Sequence, residues 1–270
     1  MTRTAVVQIA GLGLWLPGFP SLPAWSQGVP DASAVKPAGA ALDRVNRRRA
    51  SLLGRALADV VAEAAGDARI DLASVQTVIG SSIAEGSTLI GLLEQIWRSR
   101  EPVSPAAFTM SVHNAASGLI SISCGNRGFT TSLAADDDTS AASLLEAIGL
   151  VLTGNGPVVV ACGDESSPTE LIPEPQRWSL LAAAVVLAPL GHPGPCRARL
   201  AIVRPGTATL PPSACAADVG RNPQAGLLDL IDAVTRGAMG CVRLDRGGGL
   251  GYCAEIEAVD PSAAEPARER

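Results

Sequence analysis

The side chains in this sequence that could carry chemistry are few, and the most conspicuous are three adjacent carboxylates, Asp136, Asp137 and Asp138, followed by Thr139 and Ser140. Such a run admits three roles. It caps a helix, because side-chain oxygens accept the orphan N–H groups of a first turn and carboxylates complement the helix dipole. It keeps a degenerate catalytic position polar, since a helix N-terminus favours an anion. Or it supplies a residual acid or base for decarboxylation or hydrolysis, with His113 as its base partner. We take the first two together. The chain has two histidines: His113, beside Asn114, reads as a hydrogen-bonded structural residue, and His192, in Gly191-His192-Pro193-Gly194, reads as part of a linker between strands. Six cysteines (124, 162, 196, 215, 241 and 253) form no Cys-x-x-Cys pair and no cluster with histidine, so neither a zinc site nor a disulfide framework is expected. A G-x-S-x-G elbow, an H-E-x-x-H pair and a P-loop are all absent; the glycines at 247–249 lack a following Lys-Ser/Thr and read as a turn.

The elements that must position these residues centre on 144–152, LLEAIGLVL, apolar around nearly the whole helical circumference, with Glu146 its only charge. A helix of that kind is expected to be wrapped by protein on all sides. Thr153, Gly154, Asn155, Gly156 and Pro157 stop it, and 158–161 read as a short buried strand. A buried helix feeding a buried strand marks the centre of an α/β domain. Upstream, 5–10 read as a first core strand ending in a turn at Gly11-Leu12-Gly13, with Trp15, Phe19 and Trp25 pinning the loop that follows. Apolar spacing predicts one helix over 42–65 with Asp43 as N-cap, then a strand over 75–80, a helix over 88–98, and a small-residue helix over 111–124. The segments 129–135, 179–188 and 199–203 read as strands, the last two as a hairpin; 227–236 is a helix and 252–259 a strand.

The stretch 127–165 resembles the N-terminal half of β-ketoacyl synthases of the thiolase fold. Arg127-Gly128 stands for that family's Arg-Gly-Pro, and Cys162-Gly163-Asp164-Glu165 for its strand ending in Gly-Gly-x-Glu. Counted without gaps between these anchors, the nucleophilic cysteine position falls on Asp137. The wording at 104–118, SPAAFTMSVHNAASG, is closer to a shorter branch found with aryl polyene and related pigment biosynthesis. The resemblance implies an α/β, thiolase-like N-terminal half, with a mixed five-stranded sheet, a buried central helix and covering helices. It also implies a ketosynthase-like domain over 1–205, a C-terminal extension packed on it over 206–260 and a disordered tail over 261–270. In that fold the strand at 129–135 pairs across a dimer interface.

A ketosynthase needs a thiolate to accept an acyl chain from a thioester; a carboxylate there could only make a mixed anhydride, which lies uphill. No catalytic residue is therefore expected: Asp137 occupies the nucleophile position, and Asp138 and His113 are the remaining candidates. No cofactor or metal is expected. The resemblance implies a non-condensing accessory subunit, similar to a chain-length factor, associating with a complete ketosynthase and/or acyl carrier protein as a homo- or heterodimer. The alternative is a stand-alone acyl-thioester hydrolase or decarboxylase using Asp137 and His113. Arg44, Arg47, Arg48 and Arg49 open the second predicted element. They read either as a solvated face or as a docking patch for an acidic partner such as a carrier protein, and arginines early in a helix oppose its dipole.

With 47% hydrophobic and 17% charged residues the chain has the makings of a well-buried core. A net charge of −5 and 3% aromatic content leave no nucleic-acid footprint. The longest apolar run, 180–190, falls short of the ~20 residues a membrane span needs. The N-terminus imitates a signal peptide, with small-x-small at Ala24-Trp25-Ser26, but the strand reading is preferred, and the thiols suggest a reducing, cytoplasmic compartment.

Overall fold

A computed structural model describes residues 5–154, 156–203 and 206–258. Its elements are β1 (Val7–Trp15), α1 (Leu22–Ser26), α2 (Arg44–Arg49), α3 (Leu52–Ala68), β2 (Gln76–Gly80), α4 (Gly86–Glu94) with a π-helical turn (Gln95–Ser99), α5 (Pro105–Thr109), α6 (Ala115–Cys124), β3 (Thr130–Leu133), a 3₁₀ turn (Asp136–Asp138), α7 (Thr139–Gly154), β4 (Val158–Asp164), β5 (Leu181–Ala188), β6 (Ala198–Val203), α8 (Ala217–Gly220), α9 (Ala225–Thr235), β7 (Gly240–Arg243) and β8 (Cys253–Glu257). One mixed sheet runs β3-β2-β4-β5-β1-β6-β8-β7. The five strands from β3 to β1 match the expected sheet, and β6, β8 and β7 extend it to eight, so residues 206–258 complete the same sheet. The tail at 261–270 lies outside the described residues.

The sheet is sandwiched between two helical layers. In β5, Leu181, Ala183, Val185 and Leu187 join one core cluster, while Ala182, Ala184, Val186 and Ala188 join the other. That two-residue alternation, buried on both faces, is the pattern of a strand covered by helices on both sides, as the sequence reading expects. The bulkier face packs with α7 and α9, whose buried Leu144, Ile148, Leu227 and Ile231 share its cluster. The alanine face takes α3, which small side chains let approach closely.

The same close approach explains the first sequence-level correction. β1 does not turn at Gly11-Leu12-Gly13 but runs straight through to Trp15, buried along its length, with a register shift against β5 between Ile9 and Gly11. A Cβ on Gly11 would run into the Ala64 carbonyl of α3, and one on Gly13 into that of Val60. The glycines are there to seat a helix, not to turn a chain.

Three further expectations are corrected. The helix predicted over 42–65 is two: Asp43 caps α2 by accepting from Val45 N and Asn46 N, the chain breaks at Ala50, and Ser51 caps α3 by accepting from Gly54 N. The expected hairpin of β5 with β6 is not made; β5 pairs with β4 and β1, and β6 pairs with β1 and β8. Nor is α7 wrapped on all sides. Leu144, Ala147, Ile148 and Val151 are buried, but Leu145, Glu146 and Leu152 face solvent, Leu152 at 56% exposure.

Candidate functional site

The site lies at the carboxyl ends of the parallel strands β3, β2 and β4, where open α/β sheets place their ligand-binding groups. Asp136, Asp137 and Asp138 form their own 3₁₀ turn immediately before α7, with Asp136 at φ +50. Thr139 Oγ1 donates to the Asp136 carbonyl at 2.7 Å and accepts from Ala135 N at 2.9 Å, which joins the turn to the helix. The gapless count thus puts Asp137 in the turn that enters the central helix, two residues ahead of its first residue.

A polar network that sequence reasoning missed supports this turn from below. Asp164, at the end of β4, is fully buried and accepts from Ser81 Oγ at 2.6 Å, Ser82 N at 3.1 Å, Ile83 N at 2.9 Å and Gln224 Nε2 at 2.8 Å. Burial pushes its carboxyl up, against the pull of these donors. Gln224 accepts in turn from Ser140 Oγ at 2.7 Å and donates to Ser82 Oγ at 3.0 Å, and Ser82 Oγ donates to the Asp136 carbonyl at 2.7 Å. The end of β2, the end of β4, the first turn of α7 and the residue before α9 are therefore one hydrogen-bonded unit. Its only sequence signal was Asp164 at a strand end; Gln224 sits 60 residues away in a stretch that reads as loop.

The triple glycine closes over the acidic turn. Leu250 N donates to both oxygens of Asp138 at 3.0 Å, and Asp245 Oδ1 accepts from Gly247 N at 2.7 Å. A Cβ on Gly248 would strike the Asp137 carboxylate, and one on Gly249 the Asp138 carboxylate. The loop is thus pressed against the position where the resemblance places a nucleophile, with side-chain oxygens filling the space. Burial, then Asp136, Asp245 and Asp138, push the Asp137 carboxyl up.

His113 sits elsewhere in the network. Its Nε2 lies 2.8 Å from the Ser81 carbonyl, and among the described residues no hydrogen bond joins it to Asp137. His192 lies between β5 and β6, with its carbonyl accepting from Gln8 Nε2 at 3.2 Å. All six cysteines are free; Cys162, beneath α7, is wholly buried, and burial pushes its thiol up to about 12. Among the described residues no group of three or more His, Cys, Asp or Glu is placed to hold a metal, and no helix is long and apolar enough to cross a membrane.

The sequence matches the model of the β-ketoacyl synthase N-terminal domain over residues 23–245. The chain belongs to that family. This ketosynthase-family chain has the fold of several solved relatives. A chain of the ketosynthase ApeO in complex with its chain length factor ApeC from Xenorhabdus doucetiae superposes with TM-score 0.70 at 20% identity, over 95% of this chain and 100% of that one. A chain of the ishigamide ketosynthase/chain length factor gives 0.64 at 14%, over 94% and 98%. A chain of the AntDE:AntF complex, a type II acyl-carrier protein with its ketosynthase, gives 0.64 at 13%, over 95% and 100%. No functionally curated protein matches. At these identities the likeness establishes the thiolase-like fold. In this ketosynthase-family chain, Asp137, where the resemblance would place the nucleophile, lies half-exposed under a glycine loop.

Proposed function

We propose that this chain is a non-condensing, chain-length-factor-like accessory subunit of fatty-acid, polyketide or aryl polyene assembly, paired with a complete ketosynthase. The observation that carries this reading is the open edge of the sheet. Among the described residues, β3 has β2 on one side and no strand on the other. Thr77 N donates to the Phe129 carbonyl and Ser81 N to that of Leu133, so the residues between them alternate toward the unpaired side, presenting Thr130 and Ser132. Exposed apolar side chains lie on the two helices that contact β3 and just ahead of it: Ile122 on α6, Leu145 and Leu152 on α7, and Phe129. An unprotected edge with apolar flanks favours pairing with another chain. The solved relatives that share the fold include ketosynthases held with chain length factors, which supports a ketosynthase as that chain.

The contents of the site support the non-condensing half of the reading. Asp137 cannot take an acyl group from a thioester without climbing to an anhydride, and the buried thiol of Cys162 is held protonated at neutral pH. A carrier protein is the second partner of this proposal. On α2, Arg44, Arg48 and Arg49 are exposed, and none of the ion pairs among the described residues engages them. Cations on a two-turn helix suit an acidic partner, by steering more than by tight binding.

The experiment is co-expression of tagged chain with an untagged, cysteine-bearing ketosynthase from the same genome, followed by assay of the isolated chain against acyl thioesters. Stoichiometric co-elution with no turnover by the isolated chain is the expected outcome. Turnover by the lone chain that disappears in Asp137→Ala, with the fold kept, would support the hydrolase or decarboxylase instead.

A further inference from the structure

A strained turn carries the chain out of β2 and into α4. Ala84 is buried at φ +46, a conformation in which a Cβ is crowded and glycine is at ease. Its N–H donates to Ser81 Oγ at 2.8 Å, and Ser81 Oγ donates to the buried Asp164. Beyond this turn residues 86–109 form an arm that packs little against the body of the protein, and Met110 rejoins the core. Only Gly86 and Leu92 of α4 are buried, and neither the π-helical turn nor α5 buries any residue. Leu89, Leu93, Ile96, Phe108 and Trp97 (75% exposed) lie on the surface of this arm. Little apolar burial holds it down, and segments so placed open locally at low cost.

What holds the root of the arm is polar. Glu85 is buried and accepts from Ser51 Oγ at 2.7 Å, the same hydroxyl that caps α3. Glu165, one residue past β4, accepts from Ser87 N at 2.6 Å in the first turn of α4. The groups that face Glu85 are Ser51 and Gly54 from α3, Thr88 from α4 and Glu165 from the end of β4; Glu165 is the charged one. At its far end the arm returns through His113, whose ring meets the Ser81 carbonyl of the same turn.

We propose that Glu85 and Glu165 form a pH-sensitive latch at the root of this arm, closed while Glu85 carries a proton and released when both carboxylates are ionised. Burial first, with the charge of Glu165 adding to it against the Ser51 hydrogen bond, pushes Glu85 up from 4.5 to about 7. Burial raises Glu165 as well. A carboxyl raised in the folded state stabilises that state fully below its ordinary value, and the contribution is lost as pH climbs through the raised one. The latch therefore weakens from about pH 4.5 and is spent above about 7. The device is independent of the partner reading.

Hydrogen–deuterium exchange on the full chain tests it, reading peptides across 86–109 against peptides from β5, each normalised to its intrinsic rate at that pH. With Glu85 shifted from 4.5 to about 7, opening of the arm should rise about tenfold between pH 6 and pH 8 and level off above, while β5 stays flat. Glu85→Gln keeps an acceptor for Ser51 and should hold the arm protected across the range. Glu165→Gln removes the facing charge and should lower the plateau, which keeps the test decisive if Glu85→Gln does not fold. A flat profile in the wild type, or an unchanged rise in the variant that folds, would overturn the latch.

Discussion

Replacing Ile122 with glutamate probes the edge of the sheet where the proposed partner sits. Ile122 lies on α6 at 72% exposure. That leaves about 120 Å² of its surface in water, worth about 3 kcal/mol at roughly 25 cal/mol per Å² if a partner covers it. Losing that term weakens association roughly a hundredfold, and the desolvation of a buried carboxylate adds to the loss. The isolated chain should hardly notice, because Ile122 touches solvent and glutamate is a good helix former: within about 0.5 kcal/mol in chemical denaturation. The assay is a binding titration against the ketosynthase with each variant's unfolding measured in parallel; Leu152→Glu on α7 serves as a second probe. Wild-type affinity in both variants, with folds intact, would refute the assignment of this edge as the interface.

Three other outcomes follow from the core and the site. Gly13→Ala drives a Cβ into the Val60 carbonyl, and should cost about 3 kcal/mol or more, seen by calorimetry as a Tm drop of roughly 6–12 °C. Asp137→Cys should restore no condensation of acyl and malonyl thioesters above background, because the loop over 247–249 is pressed against that position and leaves a thiol there covered; product by mass spectrometry would contradict this. Cys162 should resist alkylation at pH 8 in the folded chain and react on unfolding. Its thiol ionises at about 12 when folded against 9.0 ordinarily, so the stability it contributes is complete below 9.0 and drains away as pH rises toward about 12. Labelling of native Cys162 at pH 8 would show that α7 opens.

Local pattern carried the strands and helices wherever burial was local. The Leu/Val and Ala alternation of β5 and the apolar periodicity of α3 are properties of the segment itself. Gly11 and Gly13 were visible as a motif, but a glycine that admits a helix and one that turns the chain look alike until α3 is docked. Which strand β6 joins depends on a long-range pairing with Val7, Gln8 and Ile9, which no local pattern encodes. The apolar circumference of α7 suggests complete burial; Leu145 and Leu152 are instead exposed, because apolar composition alone does not say which residues of a helix the fold covers. At the site, the register to Asp137 came from motif spacing, whereas the Asp164–Gln224–Ser82 network needed the C-terminal segment folded back across the sheet. β7, four residues long and partly covered by the N–H groups of Thr209 and Leu210 on Cys241 O, was too short to signal itself.

The most direct test of the account is the native mass and composition of the complex formed when this chain and its ketosynthase are made together. The account predicts one 27.4 kDa copy of this chain for each ketosynthase subunit, joined at the β3 edge and dissociated by Ile122→Glu. A ketosynthase paired only with itself, beside this chain as a free monomer at micromolar concentration, would contradict it.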